Sequence, residues 1–470
     1  MRVPQAPILE KKPAGVAQSL IYSLPIAASL FLVSPLSGII PGIYAKNFGL
    51  SLSAIGFVLL IARLFDAVTD PIVGYVSDQH RKKYGTRKYV IAAGAVCLVA
   101  ASYFLFIPPD NVSQTYFLVS YCAAFLGFTL IEIPHLAWAS ELTHDNQQRN
   151  RFYGSRAIAV HIGLLLFFAV PLLPFSSNEG FTSEALRWAV FAGALIMTPL
   201  LFICLKTLGN GELYSKSRNE PIRQQIDSVI RNVPLLLLLA GFLLSSLGAG
   251  LNAGVSFIFA DVYLGLGAEL PVVYIVGYSI GMLGPVIAGR AARRFEKKTV
   301  WAVFVFLYGV SFFFTAFLPP GSQSFVPYTV LYTLYITAYA ANIMIVPSLL
   351  SDIADYGVWK FGVERRATYF SLYLFAIKAA IGLGGALGMG ILGFYGFDPQ
   401  GSVQGGQAIL GLHLAIGYLP AVLMLPAMIC ILLIPMNTRR HTVIQKRLTA
   451  RSAGRSQHQQ AQGVNASTAG

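Results

Sequence analysis

Apolar positions in this chain neither alternate nor keep to one helical face; they gather in long stretches where polar residues are sparse, separated by short polar intervals. An α-helix needs roughly 20 such residues to cross the hydrocarbon of a bilayer, and without water its backbone must satisfy its own hydrogen bonds. The pattern predicts twelve membrane-crossing helices, over 18–46, 51–77, 88–107, 115–140, 156–175, 187–206, 232–263, 270–290, 299–318, 325–350, 368–396 and 408–435. The longer ones that contain Pro and Gly are expected to be tilted or kinked.

The polar intervals suggest the domain organisation. Residues 207–231, which hold Pro221, are read as a linker between an N-terminal six-helix bundle (1–206) and a C-terminal one (232–436), and 437–470 as a disordered basic, polar tail. The halves echo each other. Gly74-Tyr-Val-Ser-Asp78 followed by Arg81, Lys82, Lys83, Arg87 and Lys88 matches Gly284-Pro285 followed by Arg290, Arg293, Arg294, Lys297 and Lys298. Glu141 before Arg149, Arg151 and Arg156 matches Asp352 and Asp355 before Arg365 and Arg366. The expected fold class is therefore an all-α membrane protein of twelve transmembrane helices in two pseudo-symmetric six-helix bundles.

Composition agrees with this. A chain that is 55% hydrophobic and 11% charged cannot hide its apolar surface in one aqueous core. The net charge of +14 is a matter of topology: 30 of the 34 Lys and Arg residues fall in the N-terminal segment, alternate loops and the tail. Lys46 and Arg187 fall on the other side, and Arg63 and Lys378 within spans. The positive-inside rule then places both termini in the cytoplasm of a multi-pass cell-membrane protein. Nucleic acid is not an expected partner, because the basic residues are scattered over short loops. No cleaved signal peptide is expected, and Cys97, Cys122, Cys204 and Cys430, all within apolar spans, read as packing residues.

Ionisable groups inside a bilayer are costly and persist mainly where they work or are paired. The second span holds Arg63, Asp66, Thr69 and Asp70; the fourth holds Thr129 and Glu132; the eleventh holds Lys378. Asp66 and Asp70, four apart, share a helix face. With Thr69 and Thr129 they offer the oxygens a hard monovalent cation requires. A purely structural alternative pairs Asp66 with Arg63 and Asp70 with Lys378. Setting Asp66, Asp70 and Glu132 against Arg63 and Lys378 leaves one negative charge, which one cation would neutralise. Asp261 reads as interfacial, and His135 as a packing or hydrogen-bonding residue.

Four motifs carry a family resemblance. They are Arg63-Leu-Phe-Asp66-Ala-Val-Thr69-Asp70-Pro71-Ile-Val-Gly74-Tyr-Val-Ser-Asp78; Thr129-Leu-Ile-Glu132-Ile-Pro134; Ser351-Asp352-Ile-Ala-Asp355-Tyr356 through Arg365-Arg366 to Ser371; and Lys378. Over residues 18–435 the chain resembles the glycoside–pentoside–hexuronide:cation symporters of the major facilitator superfamily, typified by the melibiose carrier. The resemblance implies a cation site at Asp66, Thr69, Asp70 and Thr129, and a solute-binding or coupling set of Glu132, Arg63, Arg156, Lys378 and Trp138. It also implies a cytoplasmic gate that latches the two bundles, built from Gly74, Asp78, Arg81, Arg87, Lys88, Asp352, Asp355, Arg365 and Arg366.

The sequence departs from the family on the solute side. Leu20–Tyr44 has no charged residue where sugar carriers have an acid, and His135 and Leu136 precede Trp138 where an aromatic is usual. Glu132 stands in place of Asp, and Arg156 aligns only after a one-residue shift. The expected function is Na⁺- or H⁺-coupled symport of a small polar solute, most simply a sugar or glycoside, by a monomer working through alternating access. The alternative is cation-coupled carriage of a lysolipid or other amphiphile. No nucleophile triad, metal cluster or nucleotide loop suggests an enzyme, and no cofactor or metal beyond the coupling ion is expected.

Overall fold

Among the described residues, twelve helical stretches are long and apolar enough to cross a membrane, from Val16–Ser37 to Gly406–Leu432. The structure is a computed structural model and describes residues 15–143, 146–174, 180–211, 227–362, 365–401, 403–448 and 450. Arg2, Lys11, Lys12, the middle of the expected linker, the end of the tail and the side chains of Arg149 and Arg366 lie outside that description.

The first half holds α1 (Val16–Val33), α2 (Ile39–Phe48), α3 (Leu52–Tyr84), α4 (Lys88–Phe106), α5 (Gln114–Leu142), α6 (Asn146–Ala169) and α7 (Ser183–Thr207). The second holds α8 (Val233–Ile258), α9 (Leu270–Gly281), α10 (Gly284–Ala291), α11 (Lys297–Thr315), α12 (Phe325–Phe361), α13 (Arg366–Phe394), α14 (Gly406–His413) and α15 (Leu419–Leu432). The first span is broken by a 3₁₀ turn at Ser34–Ser37, the seventh ends in a π-turn at Phe259–Tyr263, and another π-turn at Leu414–Tyr418 joins α14 to α15.

Three helices outrun their expected spans, α6 by starting at Asn146 rather than at 156. Helix α3 continues past 77 to Tyr84 and α12 past 350 to Phe361, so Asp78, Arg81, Asp352 and Asp355 sit on helices rather than in loops. Nothing in either stretch breaks a helix before Gly85 and Gly362, whose positive φ of 73° and 75° ends them in a conformation that costs glycine little.

The expectation of a disordered tail from 437 is corrected at its start, because residues 438–448 are helical. Asn437 Oδ1 accepts from the Arg440 N–H at 2.8 Å as a cap, and Ile444 and Leu448, four apart, pack on the apolar core of the second half. Polar composition masked that short apolar spacing.

By internal packing the chain forms two compact units. Unit 1 comprises Met1–Leu36 and Leu64–Lys216; unit 2 comprises Ser37–Arg63 and Ser217–Gly470. The grouping differs from the sequence halves in one respect: residues 37–63 group with the second half.

Both units are packed through glycines, as expected where apolar helices have no hydrophobic reason to associate and van der Waals fit must hold them. In unit 1, α4 and α5 meet where a Cβ on Gly127 would lie 2.5 Å from Leu98 N, and α6 meets α1 where one on Gly163 would lie 2.3 Å from Ala27 O. In unit 2, α13 meets α8 where a Cβ on Gly384 would lie 2.4 Å from Leu247 O. The later part of the first span joins the same unit at Gly38, where a Cβ would lie 2.6 Å from Ala253 O.

Candidate transport site

Within unit 1 the structure brings together part of the expected cation site. Asp66 is 4% exposed and Asp70 half-buried, one turn further along α3. Thr129 crosses from α5 and donates its hydroxyl to Asp70 Oδ1 at 3.1 Å. The Thr69 hydroxyl donates back to the Asp66 carbonyl at 3.4 Å, so its proton is engaged by its own helix while its lone pairs remain available. Pro71 lies inside α3 and has no N–H to give to the carbonyl of Ala67, four residues earlier. That oxygen, on the same turns as the carboxylates, therefore loses its helical donor. Two carboxylates in a poorly hydrated span repel each other, and a monovalent cation or a proton relieves the repulsion.

Glu132 and Arg156, both assigned to the solute, pair with each other: Arg156 Nη2 lies 3.0 Å from Glu132 Oε1, with both side chains largely buried. The pairing corrects the sequence-based charge balance, which left Arg156 out. With it counted, the acids and the bases number three each, and net charge no longer argues for a bound cation. The adjacency of Asp66 and Asp70 carries that argument instead.

Trp138 is not brought to this pair. It is six residues beyond Glu132, about 120° around the helix, and is 1% exposed. Its indole N–H donates to Gly209 O at 3.0 Å, and Lys88 Nζ sits 5.8 Å from its ring. His135 stacks on Tyr22 at 3.9 Å; Tyr22 donates to the His135 carbonyl and His135 Nε2 meets the Tyr22 carbonyl, both at 2.7 Å. These bonds make His135 a fixture joining α1 to α5.

The charged motif at the basic-loop end of unit 1 forms one network. Arg81 Nε and Arg87 Nε reach the two oxygens of Glu141 at 3.0 and 2.9 Å, and Arg87 Nη2 reaches Asp78 Oδ1 at 2.6 Å. Arg87 also donates to Ser77 Oγ, Arg81 to the carbonyls of Gly85, Asn210 and Gly211, and Lys88 to Leu208 O. These bonds tie α3, α4, α5 and the end of α7 together inside one unit. A Cβ on Gly74 of α3 would make an ordinary van der Waals contact with Ile133 at 3.8 Å.

Unit 2 repeats the device with other residues. Lys297 Nζ lies 2.7 Å from Asp352 Oδ2, and His441, on the terminal helix, lies 2.9 Å from Asp355 Oδ2. Arg365 stands at the start of α13. Lys378 lies on α13, half-buried, and Arg63 packs its stem against Gly382 on the same helix. Sequence reasoning did not single out Tyr22, Ser77, Lys297 or His441 for these contacts. Glu141 was visible only as a repeat marker, its spacing to the basic run giving no partner.

A cavity of about 10 Å³ in unit 2 is lined by Ser245, Ser246, Tyr308, Tyr339, Asn342 and Tyr373, among others. Asn342 Nδ2 donates to the Tyr308 hydroxyl at 2.7 Å, while its Oδ1 is buried without a hydrogen bond. The space suits a single water molecule.

A crystal structure of a bacterial homologue of the human lysosomal transporter Spinster matches this fold with TM-score 0.66 at 14% identity, covering 90% of this chain and 97% of that chain. The chain has that fold, the major facilitator fold. A family model described as MFS/sugar transport protein matches residues 21–438, so the chain belongs to that family and is a membrane transporter, not an enzyme. It is 28% identical over 417 residues to the uncharacterized symporter YjmB of Bacillus subtilis (strain 168), covering 86% of this chain and 89% of that one. It is 24% identical over 430 residues to a glucuronide carrier protein homolog of Escherichia coli (strain K12), covering 89% and 92%. These matches bear out the resemblance to the glycoside–pentoside–hexuronide:cation symporters.

Proposed function

We propose that this protein is a cation-coupled symporter of a sugar or glycoside, taking one Na⁺ or H⁺ with each solute by alternating access, as a monomer with both termini in the cytoplasm. The observation that carries the reading is the pair Asp66 and Asp70 one turn apart, with the Thr129 hydroxyl 3.1 Å from Asp70. Two acids so placed favour a cation, and a carrier that prefers its cation-loaded form couples solute movement to the ion by linkage. Glu132 and Arg156 offer adjacent acceptors and donors of the kind a sugar hydroxyl exchanges for water. The family description and the glucuronide relative support a sugar. Charge-free α1 supports the second reading, carriage of a lysolipid.

Purified protein in liposomes decides between them. Counterflow of a glucuronide or glycoside that a Na⁺ or H⁺ gradient turns into accumulation supports sugar symport. Counterflow of a lysolipid in place of every sugar supports the second reading. No counterflow of either removes both.

A further inference from the structure

Helix α13 carries six glycines between 382 and 393, and they do different things. Cβ atoms on Gly384 and Gly388 would meet Leu247 O and Leu251 O of α8 at 2.4 and 3.0 Å, and one on Gly393 would meet Ser53 Oγ at 2.4 Å. Gly390 has no neighbour within 4 Å. Gly382 alone among them meets a charged side chain: its Cβ would fall 2.0, 2.3 and 2.5 Å from Cγ, Cδ and Nε of Arg63. Real Cβ contacts essentially never come under 3.0 Å, so the Arg63 stem lies directly on the Gly382 backbone.

The overlap falls on the middle of the arginine, not on its tip. A small tip displacement cannot relieve it; the stem must leave its rotamer, and the guanidinium must go with it. Lys378, the other intramembrane base, is one turn away on the same helix. The backbone at 382 therefore determines where the Arg63 charge sits relative to that turn of α13.

From this contact we infer that Gly382 is a positioning residue for Arg63, holding its guanidinium in its working place. The inference rests on the symport reading above, in which Arg63 serves coupling. It distinguishes Gly382 from Gly384 and Gly388, which pack against α8, and from Gly390, which meets nothing within 4 Å.

The test uses the full chain with Gly382→Ala, Gly390→Ala, Arg63→Ala and the double variant Gly382→Ala/Arg63→Ala. Each is assayed for unfolding midpoint, and in liposomes for the half-saturating Na⁺ or H⁺ concentration and maximal rate of glucuronide counterflow. Gly382→Ala should lower the midpoint and raise the half-saturating cation concentration about tenfold, the size a small overpacking cost produces. Gly390→Ala should change neither, and adding Gly382→Ala to Arg63→Ala should cost nothing further. Should Gly382→Ala not fold, recovery of folding in the double variant supports the inference and continued failure overturns it. Equal effects of Gly382→Ala with and without Arg63, or a Gly382→Ala protein indistinguishable from Gly390→Ala, also overturn it. Wild-type counterflow indifferent to Na⁺ and H⁺ sinks the symport reading instead, while the midpoints still decide whether Gly382 acts through Arg63.

Discussion

Lys46 Nζ lies 2.7 Å from Asp261 Oδ2, joining α2 to the π-turn that ends α8. The Lys46 carbonyl also accepts from Gln400 Nε2 at 3.0 Å, so the end of α2 is held at two points within unit 2. Extra residues in π-turns frequently serve function, and here the turn presents a carboxylate that is 10% exposed to a lysine that is 43% exposed. A half-exposed pair contributes about 1 kcal/mol at most. Asp261→Asn should therefore change the transport rate by no more than about fivefold, and exchange of the two residues, Lys46→Asp with Asp261→Lys, should restore it. An exchange variant no better than Asp261→Asn would show that the pair itself does not set the rate.

Glu141 joins the charges at the basic-loop end of unit 1, since Arg81 and Arg87 both terminate on it in a setting where its side chain is 9% exposed. Removing one partner of a buried pair leaves uncompensated charge and costs about 3–5 kcal/mol. Glu141→Gln should thus lower the unfolding midpoint markedly. Asp78→Asn removes a carboxylate that is 58% exposed and should cost under ~1 kcal/mol. Equal losses in the two variants would contradict the ranking.

Arg156 depends on Glu132 for its charge partner within unit 1. Glu132→Gln should raise the half-saturating solute concentration about tenfold and lower stability by leaving the guanidinium with a weaker acceptor. Adding Arg156→Gln should recover stability without recovering solute affinity. Recovery of both would place the pair outside solute binding.

The side assignment has its own check. Cysteine at position 85, beside the basic run, should be labelled from the cytoplasm, and cysteine at position 113, the N-cap of α5, from outside. Labelling of position 113 from the cytoplasm would invert the topology.

The helices were legible because membrane spans write themselves as composition: every expected span corresponds to a helix, with shifts of a few residues at most ends. What the sequence left unread are the partners of polar residues when those partners are distant in sequence. Nothing local says that Glu132 answers Arg156, 24 positions on, or that Trp138 turns to the carbonyl of Gly209. Asp66, Thr69 and Asp70 were legible because a single helix turn brings them together. Thr129 needed the α5 crossing to reach Asp70. The helix at 438–448 was missed because two apolar residues in a polar, basic stretch give a weak pattern until the core they pack on is known.

The central claim is that Asp66, Thr69, Asp70 and Thr129 hold the coupling cation, and replacing Asp70 tests it most directly. Asp70→Asn keeps the size of the side chain and one carbonyl oxygen for Thr129 to donate to, but removes the charge. Thr69→Ala removes one neutral ligand and should weaken Na⁺ stimulation more than H⁺ stimulation, because a proton needs no shell of oxygens. The measurement is accumulation of a glucuronide in liposomes under an imposed Na⁺ or H⁺ gradient, beside gradient-free exchange. The account predicts that Asp70→Asn abolishes gradient-driven accumulation while exchange persists; full accumulation by Asp70→Asn would contradict it.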